Sequence, residues 1–161
     1  MTDLDVDKKP PAERVVLFEV AGLLGAPRTL RKVPQSHLET HEMLLRGLPT
    51  NALTYLVDNL VFLRWDEAFA KAVGMSQRTY QRHTSSTSKS LNAEQSGRTW
   101  KLAEILARAT AIFGSKDEAE QWLEQPATGL DRRRPIDLLA TPAGVGLVED
   151  FLVRLEYGVY A

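Results

Sequence analysis

One stretch of the sequence, RTWKLAEILARATAIFG at 98–114, has the repeat of an amphipathic helix and constrains any fold that the chain can adopt. Its apolar residues recur every three or four positions, which places them on one side of a helix. Gly114 ends the pattern, as glycine commonly ends helices. We therefore expect the rest of the chain to pack against this helix. The residues of the apolar side are Leu102, Ile105, Leu106, Ala109, Ile112 and Phe113.

Helix start and stop signals divide the remaining sequence into shorter segments. Most of them predict helices, and only 14–27 is equally compatible with a helix and a strand. The Ser/Thr-rich stretch at 84–90 and the residues up to Gly97 are polar and typical of a loop, although a helix can begin within them. The predicted fold class is all-α. The predicted N-caps are Ser36, Asp66, Ser76, Ser115 and Thr141, and the predicted helix ends are Gly47, Gly74, Pro126 and Gly158.

Charge is distributed unevenly along the chain, although the net charge is only −1. Residues 64–108 contain eight Lys or Arg and four Asp or Glu. Residues 109–161 contain five and nine, respectively. A basic middle and an acidic end indicate different partners for the two parts, whereas solvated faces of a two-part protein are the alternative.

The residue types that most enzyme and metal sites need are missing or scattered. There is no cysteine, which excludes thiol nucleophiles, disulfides and cysteine metal sites. No glycine-rich phosphate loop is present. His37 and His41 are four positions apart, as metal ligands can be, but no third ligand accompanies them. We predict a protein without enzyme activity, cofactor or metal.

The N-terminal residues MTDLDVDKKPPAE are polar and charged, so they do not resemble a signal peptide. No apolar run approaches the roughly 18 residues that a membrane span needs. These features predict a cytoplasmic protein without membrane association.

Residues 66–83 have the pattern of a helix-turn-helix. Ala70 is small where the two helices would cross, and Gly74 occupies the turn, where a positive φ costs glycine little. Core positions would be filled by Phe69, Val73, Met75 and Tyr80. In such a unit the second helix enters the major groove of DNA. The predicted DNA-binding residues are Ser76, Gln77, Arg78, Thr79, Gln81 and Arg82.

The residue types of this second helix suit DNA, but they also suit an ordinary polar surface helix. Arginine can bind guanine edges and phosphates, and glutamine can bind adenine. Ser76 can offer its hydroxyl and nearby backbone N–H groups to a phosphate. His83 stands where an apolar residue usually closes the core. Either the helix ends early, or the ring of His83 covers the edge of the core.

The C-terminal sequence GLDRRRPIDLLATPAGVGLVEDFLVRLEYGVYA is more specific. It resembles the toxin-binding pattern G-x-RRP-x-DLL-x-T-x-x-G-x-x-x-V-x-D-x-L-x-R-x-E-x-G of antitoxins from RES–Xre toxin–antitoxin pairs, a group that includes MbcA- and ParS-like proteins. The spacing between Gly129 and Arg133 is longer here. The family's Xre-like helix-turn-helix is similar to residues 74–82, and the resemblance covers roughly 48–161.

This resemblance implies a division of the chain, a set of partners and a set of contacts. Residues 1–47 are a segment of uncertain role, 48–113 a helix-turn-helix DNA-binding domain and 114–161 a toxin-binding domain. The chain would form a homodimer, bind a RES toxin that degrades NAD, cover its active site, and repress its own operon by binding operator DNA. The implied toxin-binding residues are Arg133, Arg134, Phe151, Arg154, Tyr157, Gly158, Val159, Tyr160 and Ala161.

Two other functions stay open at this level. The chain can be a plain helix-turn-helix transcription regulator without a toxin partner, or a partner-binding protein without a neutralising role. A plain regulator would tolerate the loss of residues 156–161, whereas a neutralising antitoxin would not.

Overall fold

The computed structural model describes residues 12–85 and 90–158, and within those two ranges all regular structure is helical. The prediction of an all-α fold is therefore confirmed. Val159, Tyr160 and Ala161, three of the predicted toxin-binding residues, lie outside the described residues. The α-helices are α1 (Ala12–Leu23), α2 (His37–Arg46), α3 (Thr50–Asp58), α4 (Glu67–Val73), α5 (Gln77–Thr84), α6 (Ala93–Phe113), α7 (Lys116–Glu124), α8 (Pro135–Leu138) and α9 (Pro142–Glu156), and a 3-10 turn covers Thr128–Leu130.

Helix α6 is the centre of the fold, as its apolar repeat predicts. Helices α1, α2, α4, α7 and α9 all pack against it. It begins at Ala93, several residues before the clear apolar repeat, because Asn92 and Gln95 form a reciprocal capping box. On its predicted apolar side, Leu102, Ile105, Leu106 and Ala109 are buried, and Ile112 and Phe113 are half-buried against the core.

The predicted caps determine where five of the other helices begin, namely α2, α4, α5, α7 and α9. Each N-cap side chain accepts a hydrogen bond from the backbone N–H three residues later, which satisfies a group that the helix leaves unpaired. The segment that was compatible with a helix or a strand is helix α1. The cap pairs are Ser36 with Glu39, Asp66 with Phe69, Ser76 with Thr79, Ser115 with Glu118, and Thr141 with Gly144.

A buried carboxylate joins α7 to the connection between α3 and α4. Glu120 has no exposed surface, and its Oε1 accepts hydrogen bonds from the backbone N–H groups of three consecutive residues at 2.8, 3.0 and 3.0 Å. Its Oε2 accepts a hydrogen bond from Nζ of Lys116 at 2.8 Å. This carboxylate therefore fixes the chain that leads into the helix-turn-helix. The three N–H groups belong to Val61, Phe62 and Leu63.

An arginine makes a second connection across the predicted boundary at 113/114. Nη1 of Arg98 donates to the carbonyl oxygen of Lys71 at 3.3 Å and to that of Ala140 at 3.1 Å. Lys71 lies near the end of α4, and Ala140 precedes the N-cap of α9. The helix-turn-helix part and the C-terminal part therefore pack on each other. The division of the chain into separate domains stays a prediction.

Replacing Glu120 by alanine should lower the free energy of unfolding by about 3 to 5 kcal/mol. The change leaves three backbone N–H groups and one ammonium without their buried acceptor. Urea denaturation followed by circular dichroism measures the difference.

Glu118→Ala in the same helix is the matched control, because Glu118 is exposed. We expect it to change the free energy of unfolding by less than about 0.5 kcal/mol. Equal effects of the two substitutions would contradict the role given to Glu120.

Candidate functional sites

The start of α5 is fixed by a small hydroxyl network. Oγ of Ser76 accepts the backbone N–H of Thr79 at 3.1 Å, and the two hydroxyl oxygens lie 2.9 Å apart. Nη2 of Arg82 reaches Oγ1 of Thr79 at 3.5 Å. The side chains of Ser76 and Thr79 thus already have partners within α5, although both were predicted to contact DNA.

The other predicted DNA-binding side chains are presented to solvent. Gln77, Arg78, Gln81 and Arg82 are exposed, and α5 has no buried residue. Among the described residues, the side chains of Gln77, Arg78 and Gln81 have no polar partner. We call the exposed side of α5 formed by these four residues the recognition surface.

Aromatic side chains hold the inner side of α5. Tyr80 stacks on Trp65, with ring centroids 4.4 Å apart and planes 22° apart, and Trp65 in turn contacts Phe69 at 4.8 Å. Burial raises the pKa of Tyr80, although a hydrogen bond with the side chain of Thr54 opposes the rise. The sequence identified Tyr80 and Phe69 as core positions but not Trp65.

His83 lies in the last turn of α5, and its ring is half-buried. Helix α5 continues to Thr84, so it does not end early. Nδ1 of His83 lies 3.5 Å from Oγ1 of Thr50 at the start of α3. Of the two predicted arrangements, the structure has the one in which this ring covers the edge of the core.

One side of α9 packs inward. Val148 and Leu152 have no exposed surface. The ring of Phe151 lies parallel to that of Trp122, with centroids 6.1 Å apart. It also lies so close to Gly129 that a Cβ on that residue would stand 2.2 Å from Cε2 of the ring. Phe151, predicted to bind a toxin, therefore packs within the C-terminal part.

The opposite side of α9 is exposed and partly apolar. Leu147 is 54% exposed, Val153 38% and Tyr157 77%. Leu147 and Val153 were not among the predicted toxin-binding residues, although projecting the sequence onto a helical wheel places them with Tyr157 and Arg154. We call this exposed side the α9 face. Its residues are the exposed Ala143, Leu147, Asp150, Val153, Arg154 and Tyr157, together with the half-buried Gly146.

The paired arginines before α8 differ in their surroundings. Arg133 is exposed, whereas Arg134 is half-buried and binds both carboxylate oxygens of Asp137 at 2.9 and 3.0 Å. Arg134 also contacts Glu124 at 2.9 Å and Asp66, the N-cap of α4, at 3.6 Å. The hydrogen bonds to Asp137 and the neighbouring carboxylates raise the pKa of Arg134 further. The structure gives Arg134 an internal role and leaves Arg133 available.

His37, one of the two histidines that lie four positions apart, has an acidic neighbour. Nε2 of His37 lies 3.4 Å from a carboxylate oxygen of Glu13. Within 12–85 and 90–158, no three His, Asp or Glu side chains form a group that could hold a metal ion. No helix in those ranges is long and apolar enough to cross a membrane.

The fold therefore has two candidate binding surfaces on a shared helical core. The recognition surface lies on α5, and the α9 face lies on α9. Residues 108–158 match the C-terminal toxin-binding domain of Xre/MbcA/ParS antitoxins. The match includes the whole α9 face and begins within α6. It confirms the resemblance of the C-terminal sequence to this group of antitoxins.

Curated relatives agree with this match. The chain is 28% identical over 133 residues to an antitoxin Xre of Photorhabdus laumondii, covering 82% of this chain and 88% of the relative. It is 32% identical over 92 residues to an antitoxin Xre of Yersinia enterocolitica, covering 56% and 62%. A third antitoxin Xre, from Pseudomonas putida, is 32% identical over 68 residues, covering 42% and 43%. Residues 108–158 therefore have the sequence of an Xre/MbcA/ParS-type toxin-binding domain, and over a longer part of its length the chain is similar to curated Xre antitoxins.

Arg134→Ala should lower the free energy of unfolding by about 1 to 3 kcal/mol, because it removes charge-assisted hydrogen bonds to half-buried carboxylates. Arg133→Ala should change it by less than about 0.5 kcal/mol, because Arg133 is exposed. Urea denaturation of the two variants measures both values under identical conditions. If the two variants are equally stable, the internal role of Arg134 is wrong.

Proposed function

We propose that this antitoxin neutralises a RES toxin that degrades NAD, by docking its α9 face and laying the residues after α9 over the toxin's active site. The observation that carries the proposal is the α9 face itself. It is the exposed apolar side of the last helix, it lies within the matched toxin-binding domain, and it leads directly into the C-terminal residues.

The composition of the α9 face supports docking to a protein. Leu147, Val153 and Tyr157 offer apolar area, and Arg154 adds a charged group next to them. Tyrosine and arginine are enriched among the residues that contribute most to protein interfaces. Arg133 is a further available cation. The proposed contacts thus comprise Arg133, the α9 face and the segment Gly158, Val159, Tyr160 and Ala161.

Gly146 gives the α9 face a place for close approach. A Cβ at Gly146 would meet nothing within 4 Å inside the protein. Any steric requirement for glycine there would come from a partner, because the fold does not impose one. A toxin helix or loop can approach the backbone of α9 closely at this point.

Cellular NAD tests the neutralising mechanism. The gene adjacent to that of the antitoxin is expressed alone, with the full chain, and with a chain cut after Leu155. We expect NAD to fall with the neighbouring protein alone, to recover with the full chain, and to fall again with the cut chain. The reason is that the cut removes residues 156–161, which include the segment that would cover the NAD site and Tyr157 at the end of the α9 face.

A full-length variant separates docking from covering. Val153→Asp places a charge on the α9 face and should weaken binding of the toxin, whereas Glu118→Ala, on the exposed side of α7, should not. If the cut chain restores NAD as well as the full chain, covering of the active site is wrong. If NAD never falls, the RES assignment fails, and a plain transcription regulator becomes the better description.

We also infer that the antitoxin represses its own operon as a homodimer through the recognition surface. A homodimer would present two copies of α5 to successive major grooves. Arg78 and Arg82 are exposed, and the side chains of Gln77 and Gln81 are available for base edges. We infer a cytoplasmic location, because the operon and the NAD that the proposed toxin degrades are both found there.

The double substitution Arg78→Ala and Arg82→Ala should abolish binding to a duplex that spans the promoter of the operon. Fluorescence anisotropy measures the affinity with and without the toxin. Arg132→Gln is the matched control, because it also removes an exposed arginine but lies in the C-terminal part. If the double variant keeps its affinity, α5 does not recognise the operator.

A further inference from the structure

We propose that the N-terminal segment binds the phosphate backbone of the same operator through a cleft lined by Arg31, Lys32 and Arg46. The proposal rests on the proposed DNA binding and assigns a role to part of residues 1–47. The cleft has a volume of about 560 Å³ and lies between the 29–34 loop, α2 and the chain that enters α3. We call it the basic cleft. Its wall also includes Glu39, Glu42, Pro49 and Ser90.

The basic cleft borders the end of the helix that carries the recognition surface. Pro49 lines the cleft, and the next residue, Thr50, meets the ring of His83 in α5 at 3.5 Å. Pro49 is also bridged to Ser90, and the N–H of Leu91 donates to the carbonyl oxygen of Leu48 at 2.8 Å. Ser90, the first described residue after the gap at 86–89, therefore lies at the wall of the cleft. The end of α5 thus lies beside the wall of the cleft, through the contact between Thr50 and His83.

Two cations of the cleft are available for a phosphate. Nζ of Lys32 lies 3.6 Å from Oε1 of Glu39, so the charges of this lysine and this carboxylate offset each other. The backbone N–H of Gln35 also donates to Glu39 at 2.8 Å. Arg31 and Arg46 are exposed and form no ion pair with any residue in the described part of the chain. Glu42 is the remaining carboxylate of the wall.

A DNA backbone is the partner whose chemistry and place fit this cleft. Two phosphate backbones flank the major groove, which is about 12 Å wide, so a surface beside a recognition helix faces one of them. Arginine binds phosphate with paired hydrogen bonds. Such contacts position a protein on the duplex without reading its sequence. The cleft would then fix where α5 lies along the operator.

The salt dependence of operator binding tests the proposal in the full chain. Each phosphate contact contributes about 0.9 to the slope of log K against log salt concentration. The double variant Arg31→Ala and Arg46→Ala should therefore reduce that slope by about two and weaken binding at 0.1 M salt. Anisotropy of the promoter duplex between 50 and 300 mM KCl gives the slope. A scrambled duplex should show the same change, because phosphate contacts carry no sequence information.

Matched variants separate phosphate contact from other causes. Arg31→Lys with Arg46→Lys keeps both charges and should retain most of the slope. Arg132→Gln changes the net charge outside the cleft and should leave the slope unchanged. Thermal unfolding of each variant verifies that it is folded at the temperature of the titration.

Each outcome decides between the two proposals. If the wild type binds and the double alanine variant keeps both affinity and slope, the basic cleft does not contact DNA, and the recognition surface alone explains binding. A lower affinity with an unchanged slope also overturns the cleft proposal, because the lost contact is not with a phosphate. If the wild type does not bind the promoter duplex at 50 mM salt, with or without toxin, DNA binding itself is wrong and the cleft proposal is overturned with it.

Discussion

The buried carboxylate of Glu120 is the contact on which the placement of both candidate surfaces depends. It belongs to α7, yet its hydrogen bonds go to the backbone just before the helix-turn-helix. A buried charge without such partners would be strongly unfavourable, so the carboxylate and the segment it binds must stay together. The start of α4 is held from the same side, because Arg134 approaches its N-cap, Asp66. The C-terminal part thus positions the helix that precedes the turn.

The two candidate surfaces consequently share one support. Arg98 binds the carbonyl oxygen of Lys71 near the end of α4 and that of Ala140 just before α9. Gly74, with a φ of 70°, then turns the chain into α5. The hydrogen bonds of Arg98 therefore link the start of α9 to the end of α4, which leads into α5 and the recognition surface. Both surfaces are nevertheless exposed, so the proposed contacts with a toxin and with DNA do not exclude one another.

Local signals in the sequence predicted most of the helices, because caps and apolar repeats act within a few residues. The N-caps from Ser36 to Thr141 are examples, since each pairs with a group only three positions away. Contacts between distant segments could not be predicted in this way. Nothing near Glu120 in the sequence indicates that its partners are Val61, Phe62 and Leu63, and nothing near Trp65 indicates its stacking on Tyr80. The exposed apolar residues Leu147 and Val153 were missed because the buried side of α9 accounts for its apolar repeat.

The C-terminal motif contains residues that the fold requires as well as residues available to a toxin. Gly144 belongs to the motif, and a Cβ there would stand 1.9 Å from the carbonyl oxygen of Leu138, so the turn between α8 and α9 itself requires glycine. Arg134 is likewise occupied by Asp137 and Glu124. Arg133 and Arg154, also in the motif, are exposed. A match to this motif therefore identifies the fold of the C-terminal domain, and it does not by itself identify the residues that contact a toxin. Which residues contact the toxin has to be argued from exposure, and that criterion favours the α9 face over the buried stripe of the same helix.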